Sequence, residues 1–325
     1  MNSEYDTVTS YLHNNEVFEH QSIQRTPNVL IDFDANLFHK DVDFDSATER
    51  AHEKGVKGFV VPGSTLEDST QAIAAAQQFR CVMAATAGIH PYNAESIVMN
   101  EDSILALRNM LASQHCLAVG ECGLDFSQGF PPSSFQVAWF RTHIALAIEH
   151  SKPLYLHIRN AHQCLTALLE EETVASVLTT ASYLTTSCNL SSLDYNKSLR
   201  EYIRGGALRC VVHCFTGTVD ELRYFVDLGC YIGVTGYVFS LPEESAQEIL
   251  RMIPPNRLVI ETDAPYMGFK GCRESEEKGK SRKYPNVPAA LPKIAVKIAE
   301  LLGVSYDTLC TQTAENTLKF FQVSS

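Results

Sequence analysis

No two cysteines in the chain are spaced C-x-x-C, although ten are present, at positions 81, 116, 122, 164, 188, 210, 214, 230, 272 and 310. Zinc-ribbon and thioredoxin-like readings therefore lack support. No apolar run approaches the roughly twenty residues of a membrane span, and the first thirty residues hold no stretch of signal-peptide type. The expected setting is a reducing intracellular compartment with free thiols, cytoplasm or nucleus, and no membrane partner. Positive charge is also short: 26 Lys and Arg stand against 38 Asp and Glu, a formal net charge of −12. Proteins that hold nucleic acid by broad phosphate neutralisation are usually basic. Any contact with a polyanion must here be local or metal-mediated.

What is present is a rhythm. The 325 residues are 45% hydrophobic, enough for one large domain or two medium ones. Residues 1–27 are polar and aperiodic, and read as a tail. From Val29 onward, short apolar runs alternate with longer amphipathic stretches. Candidate strands cover 29–33, 58–61, 83–87, 117–120, 154–157, 208–213, 231–233 and 258–261. Helical patterns cover 45–54 (stopped at Gly55), 66–79, 135–150, 219–228 and 291–302, with Ser305 capping a last helix to Phe321. Eight strands, most followed by a helix, predict a TIM-type (β/α)8 barrel over 28–325. A doubly wound sheet usually places a glycine-rich loop after its first strand. Here that position reads Asp34-Ala35-Asn36-Leu37. Residues 171–206 exceed one helix and are expected to hold an inserted surface loop, and Lys278–Lys283 forms a basic loop.

The chemistry lies at the strand ends, where barrel enzymes carry their active sites. The third strand runs into His90, the fourth into Glu121, the fifth into His157, the sixth into His213 and the eighth into Asp263. Burying such groups costs several kcal/mol each unless they are paired or bind a metal. Imidazoles and carboxylates converging on one mouth form a mixed nitrogen and oxygen set, suited to Zn2+, Mn2+ or Mg2+. His115, His150 and His162 fall at helix ends or exposed helix faces and carry no assigned role.

Three blocks, Gly120-Glu121-Cys122-Gly123-Leu124-Asp125, Val212-His213-Cys214-Phe215-Thr216-Gly217 and Glu261-Thr262-Asp263-Ala264-Pro265-Tyr266, resemble the signatures of the TatD-related metal-dependent DNases. Ala87-Gly88-Ile89-His90-Pro91, the run from Leu156 to His162, and Thr313-Ala314-Glu315-Asn316 are similar to further motifs of that family, in order, over about 29–321. The resemblance implies the same barrel, hydrolysis of DNA phosphodiesters, often by trimming from the 3′ end, and dependence on Mg2+. Carried over, Glu121, His157, His213 and Asp263 match its metal ligands, and His90 matches a histidine at the mouth. Two departures stand out. Most of the wider family carries His-x-His after the first strand, where this chain has Asp34 and Asn36. Oxygen ligands there suit a hard ion such as Mg2+ better than Zn2+, and the first metal position is expected to be weak, transient or filled only with substrate. The family's Asn-Glu-Pro is Asn286-Val287-Pro288 here.

In the expected mechanism, one or two ions neutralise the phosphate and activate water. Asp263 is the candidate general base, Glu121 the bridge between ions, and His157 and His213 hold the more permanent one. His90 and Arg159 face the phosphate. Asp125 lies at the same rim, as a substrate contact or as an orienter of a ligand. Phe215, Tyr237 and Tyr266 fall just past strand ends, where they could stack bases of single-stranded DNA or a strand end. Two competing readings differ in class: a metal hydrolase of a small ester, amide or phosphoester, and a non-catalytic barrel scaffold. The sequence leaves the oligomeric state open, and a monomer is compatible with it.

Overall fold

The computed structural model describes residues 29–180, 194–274 and 285–322. The tail, the Ser/Thr/Asn-rich run at 185–192 and the basic cluster at 278–283 lie outside the described residues. Eight parallel strands follow one another in sequence order around the sheet: β1 (Leu30–Asp32), β2 (Val56–Val61), β3 (Val82–Ala87), β4 (Cys116–Asp125), β5 (Leu154–Arg159), β6 (Cys210–Val212), β7 (Tyr231–Val234) and β8 (Leu258–Ile260). The ring closes where Phe33 donates to Ile260, Asn36 donates to Ala264, and Asp263 donates to Asp34. The predicted TIM-type barrel is therefore the fold.

Helices α1 (Phe44–Glu53), α2 (Leu66–Gln78), α3 (Glu101–Leu111), α4 (Ser133–His150) and α5 (His162–Glu171) alternate with the first strands. The long segment after α5 is not a bare loop. It contributes α6 (Val174–Thr180) and α7 (Leu199–Arg204), which bury Val174, Val177, Leu199 and Ile203. Then come α8 (Val219–Asp227), α9 (Glu243–Met252), α10 (Leu291–Leu302) and α11 (Tyr306–Phe321). The stop signals act as their chemistry requires. Gly303 ends α10 in the left-handed conformation with φ 70°, and the Ser305 hydroxyl accepts from Thr308 N to start α11.

Two apolar layers hold this together. Between strands and helices lies a continuous shell of Leu, Ile, Val and Ala. Inside the ring a second cluster stacks Phe33 on Tyr155 at 5.4 Å, with Phe320 from α11 edge-on to Phe33 at 5.5 Å. Each buried ring of this kind contributes roughly 1.5–3 kcal/mol. Asn316, fully buried on α11, donates to the carbonyls of Pro255 and Leu258, both at 2.7 Å. That ties the closing helix to the start of β8. The end of the barrel away from these contacts is left for the ionisable groups.

Candidate active site

Period-two alternation on the strands decides which side chains face the barrel axis. On β5, Tyr155 and His157 share a face. Past β8, Glu261 and Asp263 do so, with Thr262 turned away to donate from its backbone N and its hydroxyl to Asp32, at 2.7 and 2.5 Å. Glu121 lies within β4, which runs on to Asp125 and so is longer than the predicted 117–120. Gly120 and Gly123 have φ values of +147° and +139°. A Cβ on either would run into the backbone carbonyl of Tyr155 or His157. The two glycines of the Glu121 motif thus let β4 lie against β5 and bring Glu121 to His157.

The structure gathers the expected residues and adds others. His213 Nε2 lies 2.7 Å from Glu121 Oε1 and 3.2 Å from His157 Nδ1. His157 Nε2 is 2.9 Å from Asp125 Oδ2, so its other ring nitrogen is left to face the centre. His90 Nε2 and His157 Nδ1 each stand 3.6 Å from Glu121 Oε1. On the opposite side, His213 Nδ1 is 3.2 Å from Asp34 Oδ2 and 3.8 Å from Glu261 Oε1. Two clusters result, His90–Glu121–His157 and Asp34–His213–Glu261, and in each the candidate ligand atoms lie within 4.8 Å of one another. Asp263 belongs to neither cluster. Its Oδ1 accepts from Asn36 Nδ2 at 3.2 Å, and it feels the charges of Asp34, His213 and Glu121. Tyr155 donates to Asp34 Oδ2 at 2.8 Å.

The electrostatics are those of a site with too many acids. Asp34 and Glu261 are fully buried, and desolvation raises both carboxyls, with repulsion from Glu121 adding to it at Asp34 and repulsion from Asp34 adding to it at Glu261. Burial, then repulsion from Asp34, pushes Asp263 up to about 7. Burial works against charge on Glu121 too, but His213 and His90 outweigh it and hold that carboxyl well below its usual range. His213 moves oppositely: burial lowers it, Glu121 and Asp34 win, and it is raised well above its ordinary value. His90 is pushed down to about 3 by burial and by His157. His213 Nδ1 and Glu261 Oε2 are buried without a hydrogen-bond partner. Crowded acids and imidazoles with such orphaned atoms fit divalent cations, which would supply positive charge in place of the proton on His213.

Loop backbone is bent to the same end. Cys214 and Asp263 adopt positive φ, 45° and 54°, at the sort of site where strained conformations concentrate. Cys214 N donates to Glu261 Oε1. Asn286 Nδ2 donates to Thr262 O at 2.7 Å, clamping the loop after β8, while Val287 is half-buried beside it. Arg159 makes no ion pair among the described residues, and its Nη2 rests 3.9 Å from Cys214 Sγ. Glu261 escaped the sequence reading, although its two-residue spacing from Asp263 was the available signal. Phe130, stacked at 6.5 Å over His157, gave no such signal because it comes from a loop. Phe215 is buried, Tyr237 half-buried and Tyr266 exposed.

A parallel barrel with imidazoles and carboxylates crowded at the carboxyl ends of its strands defines a hydrolase of the metal-dependent kind. The chain belongs to the TatD related DNase family, whose profile matches residues 31–322. It is similar to the 3′-5′ ssDNA/RNA exonuclease TatD of Edwardsiella piscicida, 35% identical over 91% of this chain and 100% of that protein. The protein of the same name from Salmonella typhimurium is 33% identical over 86% of this chain and 94% of its own length. Among solved structures, a TatD homologue from Escherichia coli superposes with a TM-score of 0.70 at 24% identity, over 91% of this chain and 98% of that one. An uncharacterised amidohydrolase from Saccharomyces cerevisiae gives 0.71 at 22%, over 90% and 100%. At such identities these two speak for the barrel alone. The described cysteines are free thiols, and no helix among the described residues is long and apolar enough to cross a membrane.

Proposed function

We propose that the chain is a Mg2+-dependent 3′-5′ exonuclease acting on single-stranded DNA and strand ends. The observation that carries this reading is the pair of adjoining ligand clusters, His90–Glu121–His157 and Asp34–His213–Glu261, in which Glu121 Oε1 lies 2.7 Å from the imidazole of the other group. Such donor sets suit two ions held by a shared wall, and the preponderance of carboxylates favours a hard ion. Divalent ions bound there would neutralise phosphate oxygens and lower the pKa of water.

The protein's own groups do the rest. Glu121 stands between the two clusters. His157 presents its Nδ1 because Asp125 holds the opposite nitrogen, so Asp125 is a positioning residue. Asp263, steadied by Asn36, is placed to take the proton of the attacking water. Arg159, free of carboxylates, faces the scissile phosphate as a two-pronged donor. His90 is read as a ligand of the first cluster, closer to the metal than the substrate contact expected from sequence. Free thiols agree with a site of action inside the cell, in the cytoplasm.

The test uses metal-stripped protein and single-stranded oligonucleotides labelled at either end, with and without Mg2+. Shortening from the 3′ end that needs Mg2+ and vanishes in Glu121→Ala is expected. Cleavage that survives EDTA, or full activity in Glu121→Ala, would overturn the assignment.

A further inference from the structure

Beside the acid cluster a cavity of about 630 Å3 opens at the ends of β5, β6 and β7, walled by Arg159, Phe215, Thr216, Phe225, Tyr237 and Met267. Its position follows from the strands. Arg159 lies two residues past His157, Phe215 two past His213, and Met267 four past Asp263. One wall of the cavity thus continues the wall of the catalytic cluster. The volume lies within the roughly 300–1,000 Å3 typical of a seat for one small ligand.

The lining is mixed in a specific way. Phe215 is propped edge-on by Phe225, with ring centroids 6.3 Å apart and planes at 82°. Gly217 packs against the same ring, and a Cβ there would sit 2.9 Å from Cε2. The Phe215 ring is therefore fixed before any ligand arrives. Tyr237 stands on a one-turn helix, Gly236–Phe239, capped by Thr235. At the edge towards the acids sits Arg159, a cation with no carboxylate partner among the described residues. The Glu221 carboxylate that also lines the cavity is taken up by Thr218 N–H and hydroxyl, so an aromatic floor with one unpaired guanidinium on the catalytic side matches a nucleotide: a flat base with a phosphate at one end.

We propose that this cavity seats the base and sugar of the strand's terminal nucleotide, with Arg159 on the phosphate joining it to the rest of the strand. The proposal rests on the nuclease reading and deepens it. Room for one nucleoside, next to the cleavage centre, makes removal of single nucleotides from an end the natural mode. Stacking on Phe215 and Tyr237 accepts any base, because every base has a π-face. The base must be unpaired to enter, which selects single strands.

The experiment titrates deoxyadenosine against the whole chain in EDTA, followed by ligand-observed NMR. An uncharged probe is used because the metal-free acids repel a phosphate. Two variants are compared, Tyr237→Ala to remove the ring and Thr216→Trp to plug the cavity, each checked by thermal melting. Binding by the wild type, weakened roughly tenfold or more in both variants, is expected. With Mg2+, Tyr237→Ala should raise KM for an ordinary oligonucleotide by a similar factor and leave cleavage of one ending in an abasic sugar unchanged. No deoxyadenosine binding by the wild type, or equal binding in all three proteins, would overturn the seat. Hydrolysis of single strands by a wild type that ignores the nucleoside would sink the seat and spare the nuclease. Nucleoside binding lost in both variants, in a protein that never cleaves DNA, would sink the nuclease reading and support the seat.

Discussion

Asp125→Asn is the sharpest test of how the site is held. Asp125 Oδ2 lies 2.9 Å from His157 Nε2, and its Oδ1 accepts from Ser127 N at 2.9 Å. The two oxygens divide the work: one fixes a turn, the other fixes the tautomer of His157. Hydrogen bonds to His157 and Ser127 outweigh burial and hold the Asp125 carboxyl below its ordinary value, so it is an ionised acceptor. With the proton on Nε2, Nδ1 presents a lone pair towards Glu121 and His213. Asparagine keeps the shape and can still accept from Ser127 through its Oδ1. Its amide then offers N–H to Nε2, so the imidazole must carry its proton on Nδ1, where a ligand lone pair is needed. Loss of such an outer partner typically costs about 10–100-fold in metal affinity or activity, or roughly 1.4–2.7 kcal/mol. Calorimetric titration of Mn2+ into wild type and variant reads the affinity, and a melt in EDTA reads the fold. Weaker metal binding with an unchanged melt is expected. Unchanged metal affinity and unchanged cleavage rate would refute the tautomer argument.

His143 is fully buried, accepts from Ile89 N at 2.9 Å, and is pushed down to about 4 by burial. Its folded pKa lies below the unfolded value of about 6.5, so its contribution is present above pH 6.5 and is lost as the pH falls towards 4. The loss should approach ~3 kcal/mol, read by urea unfolding at pH 7 and pH 4.5 as a steeper loss in wild type than in His143→Gln. Asn316→Ala leaves the carbonyls of Pro255 and Leu258 unpaired at the closed end of the barrel. It should cost about 1–3 kcal/mol in unfolding without altering the cleavage rate per folded molecule. Mg2+ at 100 times its Kd should stabilise the wild type by about 2.7 kcal/mol, and Glu121→Ala should show little of that gain in melting temperature. Oligonucleotide binding should depend weakly on salt, since each neutralised phosphate of a single strand contributes a slope of about −0.7 and Arg159 is the one side-chain cation the reading assigns. A slope steeper than about −3 would show that further cations grip the strand.

The barrel was legible because its strands are short apolar runs buried on both faces and three of its helices stop at glycines in positive φ, Gly55, Gly229 and Gly303, whose backbone function is local. Gly303 and Ser305 behave as read because caps depend on one turn of chain. The helices at 101–111 and 243–252 were not anticipated. The first is carried by an Asn100–Ser103 capping box and only a narrow apolar stripe, Ile104, Leu107 and Leu111. The residues the structure brings together were legible where a strand end is also a motif: Glu121, His157 and His213 meet in the two clusters, while Asp263, expected as a ligand, lies outside both. The site was not legible where contact is made across the barrel. Asp34 meets His213 from the other side of the ring, and nothing in the neighbourhood of either residue announces the 3.2 Å between them. Glu261 is hidden differently, since a carboxylate beside another carboxylate reads as one acidic motif until the alternation places both on one face.

That cross-barrel pair gives the first departure from the wider family its physical meaning. An imidazole pair after β1 would bring two neutral nitrogen donors. Asp34 and Asn36 bring a carboxylate and an amide, and the amide N–H group already faces two acids: Asn36 Nδ2 lies 3.4 Å from Asp34 Oδ1 and 3.2 Å from Asp263 Oδ1. Asn36 therefore spaces two acids, and Asp34 is the carboxylate that enters a ligand cluster. A buried Asp34 beside a buried Glu261 is costly without a cation and favourable with one. The same exchange that weakens the position for a soft, nitrogen-seeking ion makes the apo state repel itself. Occupancy of the Asp34–His213–Glu261 cluster should thus track the ionisation of its acids and favour hard ions. The net charge of −12 on the whole chain then ceases to conflict with an anionic substrate, because the neutralising charge would arrive with the metal at the acids themselves.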